Sequence, residues 1–195
     1  MSEASEGATP RSWILELRGR LGGESGELPV RDGIALFLGL FVDQGRLWIA
    51  LVEHPPLAGD TLSRISLPAC ELEAGLDPWV AAATAARELL GIEPGAVLRV
   101  GRLEPHWPDP ALGIDRPLYP CVAAIPAPTP PPGSEMSVRR LPLIALATPE
   151  LAERRAERLG GRTVEVNVVH VGGHTLWGPT VEVIDDLLAR AGLGH

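Results

Sequence analysis

The segment Gly33–Val42, GIALFLGLFV, is apolar at every position and constrains the fold more than any other stretch of the chain. It is far too short to cross a bilayer, which takes about 20 residues. It reads instead as a strand in a buried sheet. Asp43-Gln44-Gly45 follows, with the polar and glycine chemistry of a hairpin turn, and Arg46–Val52 supplies the returning strand.

The rest of the chain alternates helical and extended patterns. Residues 1–10 are polar and acidic and read as a loose tail, with no basic segment leading into an apolar one as a secretory signal would require. Trp13, Ile14, Leu17 and Leu21 recur at helical spacing, which predicts a short helix over 11–21. Residues 22–33 form a glycine-rich connection and 54–64 a surface loop. Ile65–Leu72 is short and partly extended. Asp77-Pro78 opens a helix, with Asp77 as N-cap and Pro78 at its first position, and an alanine-rich interior leads to a stop at Gly91.

Val97–Leu103 and Leu118–Ile125 read as strands on either side of a Pro/Trp loop, and Ser137–Leu141 as another. Pro126–Gly133 is a proline-rich spacer. Pro149–Leu159 alternates Glu and Arg and is expected to be a solvated surface helix with ion pairs along it. Arg162–Val171 reads as a strand that Gly172-Gly173 turns into His174–Leu176. The last helix is expected at Pro179–Ala191, with Val181, Ile184, Leu187 and Leu188 on one face. These patterns make residues 11–195 one α/β domain, with a mixed sheet covered by helices on both faces.

Charge narrows the function. The net charge is −8, and all seventeen basic residues are arginine. That balance argues against a nucleic-acid or anionic-membrane footprint, which needs clustered cations. Two cysteines, Cys70 and Cys121, exclude a disulfide framework or a four-cysteine zinc site, and a reducing, cytoplasmic location is the expectation.

Residues 65–92, ISLPACELEAGLDPWVAAATAARELLGI, resemble the Nudix box and the strand that leads into it. Leu67-Pro68 sits where the family has Leu/Phe-Pro, and Gly91-Ile92 where its helix closes. His174–Thr180, HTLWGPT, and the segment Ser134–Met136 leading to Leu141-Pro142-Leu143 resemble the coenzyme A diphosphatase branch of that superfamily. The resemblance spans about residues 30–190 and implies a Nudix-type α/β/α sandwich. It further implies Mg²⁺ or Mn²⁺ chemistry on a diphosphate, for which the metal needs hard oxygen ligands.

The box is degenerate. The family's glutamates at i, i+3 and i+4 lie on one helix face; here those positions are Ala85, Glu88 and Leu89. Its arginine is Thr84, its leading glutamate Leu76, and its Gly-Gly turn Ala69-Cys70. Aligning Arg87-Glu88 with the family's Arg-Glu pair does not restore the following Glu-Glu. The expected function is therefore a protein with little or no hydrolase activity that binds a nucleotide-like ligand or a protein partner, with a homodimer also plausible.

The alternative is a divergent Mg²⁺- or Mn²⁺-dependent hydrolase of a nucleoside-diphosphate-linked or coenzyme A-type substrate. It would use Glu88 and Glu135 catalytically, Glu88 and Glu73 for metal, and Arg64 and Trp107 for ligand. Glu71 is a further substitute ligand. Glu53, at the end of the second strand, stands where that branch carries arginine.

The remaining features have plainer readings. His170 and His174 flank a hairpin turn without a third metal ligand. Cys70 is a small buried residue beside Glu71, and Cys121 a core residue. Trp107 lies in a loop that rims the ligand cleft in this fold and is suited to stacking. Trp177 is expected to pack the last helix against the sheet, and Trp13, Trp48 and Trp79 to be core or interface.

Overall fold

The computed structural model describes residues 10–21, 30–55, 65–133, 136–148, 152–159 and 162–193. The apolar run forms the central strand β1 (Gly33–Asp43), which pairs antiparallel with β2 (Arg46–Glu53) through the expected turn. On its other side β1 runs parallel to β6 (Leu118–Ala124), while β4 (Ala69–Leu72) pairs antiparallel with the start of β1 on the edge it shares with β2. β5 (Leu98–Arg102) flanks β6, while β3 (Ile65–Ser66) and β7 (Ser137–Pro142) both pair with β2.

Period-two geometry explains why β1 is apolar throughout. Leu36, Leu38 and Leu40 face one core and Ala35, Phe37 and Phe41 the other, so both faces are buried. Gly39 falls within the second series, where a Cβ would stand 2.7 Å from Ile125 Cδ1 and 2.8 Å from the Phe37 ring.

Helix α2 (Pro78–Leu90) covers the Phe37 side with Trp79, Ala81, Ala82, Ala86 and Leu90. Its short side chains allow close approach to the sheet. Its ends are as the sequence predicts: Asp77 Oδ1 accepts the Trp79 N–H at 3.0 Å, and Gly91 takes the left-handed conformation at φ 67°. The Gly91 and Ile92 amides donate to the Arg87 and Ala86 carbonyls.

The Leu38 side is covered by α1 (Pro10–Arg20), the short α3 (Leu143–Leu146) and α4 (Pro179–Ala191). Arg20 joins α1 to α4 by donating to Ala191 O at 2.8 Å, a cation at a helix C-terminus.

A second sheet completes this side, in the order β10 (His174–Trp177), β9 (Arg162–Val171), β8 (Ala152–Leu159). Val169, Val171 and Leu176 bury against the same core as α4. β8 corrects the expectation of a helix at 149–159, of which residues 149–151 lie outside the described set. It pairs with β9 from Ala152↔Val169 to Leu159↔Arg162. Glu and Arg favour helix locally, but the alternating valines of β9 require a partner strand, and that tertiary demand prevails. The charges are then satisfied at i, i+2: Arg155 pairs with Glu153 at 3.3 Å and with the buried Glu157.

Among the described residues no helix is long and apolar enough to cross a membrane.

Candidate functional site

Two places on this scaffold are candidate sites: the exposed end of α2, where the box resemblance points, and a cleft on the opposite face of β1.

On α2, Ala85 is 1% exposed and Leu89 is packed against the core beneath the helix. Glu88 points outward and is paired with Arg87 at 3.3 Å. Helix α2 packs against β4, and Glu88 and Glu71 both raise the Cys70 pKa, after the larger effect of burial. Cys70 is half-buried rather than buried, and both cysteines are unpaired thiols. Cys121 is fully buried, which pushes its thiol up to about 12.

Glu71 accepts two hydrogen bonds from Arg116, one of 2.9 Å, and these hold its carboxyl below the usual range. Glu73 is exposed at the end of β4, where its carbonyl accepts the Leu76 N–H. Glu135 and Arg64 lie outside the described residues. Glu53 is paired with Arg139.

Mg²⁺ would need several oxygen ligands converging on one point. The α2 face offers one carboxylate beside an alanine and a leucine, and the nearby Glu71 is occupied by Arg116. Among the described residues no three His, Cys, Asp or Glu side chains are placed to hold a metal. The described residues do not fit the metal that the resemblance implies. His170 and His174 do flank a turn, and His170 bonds Glu153 at 3.0 Å and Thr175 at 3.1 Å.

The cleft has a volume of about 300 Å³. Its sheet wall is Ile34 and Leu36 of β1 with Leu118 of β6, and Leu67 and Ala69 close it beside β4. Leu112 and Ile114, from the loop before β6, form a second wall. Trp177, Pro179 and Thr180 bring the N-terminus of α4 to a third. His54 and Ser66 add polar groups, hydrogen-bonded to each other at 2.9 Å. His106 Nε2 and Glu182 Oε2, 2.6 Å apart, tie the loop after β5 to the first turn of α4.

Trp13, Trp48 and Trp79 are buried in or packed against the cores as expected, while Trp177 differs from expectation. Trp177 lines the cleft, besides packing against the valines of β9. Trp107 is 60% exposed and is not among the described lining residues. Trp79 is buried beneath the Arg99 guanidinium, 5.1 Å from its ring centroid, and Trp48 stacks on Phe41.

No protein-family model and no curated protein matches the sequence. Solved structures do. A MutT/nudix family protein from Enterococcus faecalis aligns over 98% of this chain and 76% of its own, with a TM-score of 0.51 and 13% identity. The chain has the Nudix fold. At that identity the likeness establishes the fold alone. A Nudix hydrolase from M. smegmatis, RenU, aligns over 60% of this chain and 74% of its own, at 16% identity and a TM-score of 0.45. An Ap4A hydrolase from C. elegans aligns over 58% and 82%, at 16% identity and 0.41. The mixed sheet between helices agrees with the Nudix neighbours.

Proposed function

We propose that this Nudix-fold chain acts by binding, with little or no diphosphate hydrolysis. The observation that carries this reading is the α2 face, where the three positions that would hold a metal are Ala85, Glu88 and Leu89. Ala85 is buried and Leu89 partly so, so neither position can be supplemented without repacking the helix against the sheet. The cleft supplies what a binding role needs, a concave and mainly apolar site with a few polar groups. Its occupant in this reading is a nucleotide-like small molecule, with a protein partner as the other possibility.

A second reading, a divergent hydrolase of the coenzyme A diphosphatase type, is favoured by the shared neighbourhood of Glu88, Glu71 and Cys70. Calorimetric titration with Mn²⁺ and Mg²⁺, with and without ADP-ribose or coenzyme A, separates the two. The binding role predicts no metal-dependent heat. Metal-dependent binding that disappears in Glu88→Gln establishes the hydrolase reading instead.

A further inference from the structure

Thr180 is 8% exposed and lines the cleft, yet its hydroxyl has no hydrogen-bond partner among the described residues. It is the second residue of α4, after Pro179, so its amide has no partner within the helix either. The first amide bonds of α4 run from Val181 and Glu182 to Gly178 O. Two adjacent donors thus sit at the wall of an apolar cavity without acceptors, where buried polar groups are normally satisfied. They call for an acceptor oxygen from a bound molecule.

The surroundings define what kind of oxygen. A helix N-terminus favours negative charge, but Glu182 already occupies the first turn of α4 and offsets that field. Arg116 lies between Ile114 and Leu118, and its guanidinium is neutralised by Glu71. The walls are mainly aliphatic, with Trp177, whose ring can lie against a flat ligand, and with His54 and Ser66 hydrogen-bonded to each other. The volume of about 300 Å³ accommodates a fused ring system.

We propose that the cleft takes an uncharged, largely apolar ring ligand whose carbonyl oxygen accepts hydrogen bonds from Thr180 at the start of α4. This rests on the binding role proposed above but departs from its nucleotide-like occupant, since an uncharged ring ligand carries no phosphate, and it requires no metal.

The test is NMR titration of the full chain, in buffer containing a metal chelator, with three probes. These are 1-indanone, indane and indane-1-carboxylate: the same rings with a neutral acceptor, with none, and with a charged one. Chelation separates this test from the question of Glu88. The proposal predicts saturable 1-indanone binding, with shifts gathered at Leu112, Trp177 and Thr180, tighter than for either other probe. Thr180→Val should weaken 1-indanone about fivefold, the worth of one neutral hydrogen bond, and leave indane unchanged. Thr180→Ser, which keeps the hydroxyl, should retain most of the affinity. Absence of 1-indanone binding, unchanged affinity in Thr180→Val, or tighter binding of the carboxylate would each overturn the proposal.

Discussion

The guanidinium of Arg116 grips the carboxylate of Glu71 with both terminal nitrogens, joining the loop before β6 to strand β4. Asp32 makes a second tie nearby, accepting the Ala74 N–H at 2.7 Å. Because the folded-state pKa of Glu71 is lowered from 4.5, its contribution to stability is present above that pH and lost as pH falls through the lowered value. Thermal melts from pH 7 down to pH 3 should therefore show a smaller acid-side decline in Glu71→Gln than in the parent chain. An unchanged acid-side decline would mean the pair does not hold in solution.

The thiols report the geometry between α2 and β4. Cys121 should resist alkylation until the protein unfolds, being fully buried with a pKa of about 12. Cys70 should label slowly at pH 7 and faster as pH rises, since burial, Glu88 and Glu71 all raise its pKa. Glu88→Gln should speed its labelling by less than about tenfold, the factor for one full pKa unit. No acceleration would place Glu88 away from Cys70.

Thr180→Val should stabilise the ligand-free protein. Removing a buried hydroxyl that lacks a partner relieves a desolvation cost of about 1–3 kcal/mol, and valine keeps the shape. A rise in Tm of roughly 2–4 °C is expected, corresponding to a gain of about 1 kcal/mol for a domain of this size. A fall in Tm would show that the hydroxyl is satisfied within the protein.

Asp77→Ala should destabilise the fold by about 1 kcal/mol through loss of the α2 N-cap. Its ion pair with Arg99, at 3.7 Å between half-exposed side chains, adds little. Asp77→Asn, which can still cap, should recover most of the loss in urea melts; equal loss in both variants would assign the effect to the charge.

Much of this fold is written locally in the sequence. The β1–β2 hairpin, both ends of α2 and the extent of α4 follow from apolar runs, caps and glycines. The segment at 152–159 misled because its Glu and Arg residues fit a helix face as well as a strand, and the partner that decides is the valine pattern of β9. The cleft was less legible still. Its walls come from residues near 35, 66, 113 and 178, which no spacing rule connects. The one local signal was Trp177-Gly178-Pro179-Thr180, visible as a motif but without the tertiary fact that Thr180 is buried and lacks a partner. The residues around Glu88 on α2, by contrast, were readable from the sequence alone: Ala85 and Leu89, on either side of Glu88 in the chain, carry no side-chain group that can ligate a metal.

The most direct test of the account is turnover: ADP-ribose and coenzyme A incubated with the purified chain and Mg²⁺ or Mn²⁺, with product separated by chromatography and Glu88→Gln run alongside. The account predicts no cleavage above the Glu88→Gln control. Metal-dependent cleavage at ordinary enzyme rates, lost in that variant, would contradict it.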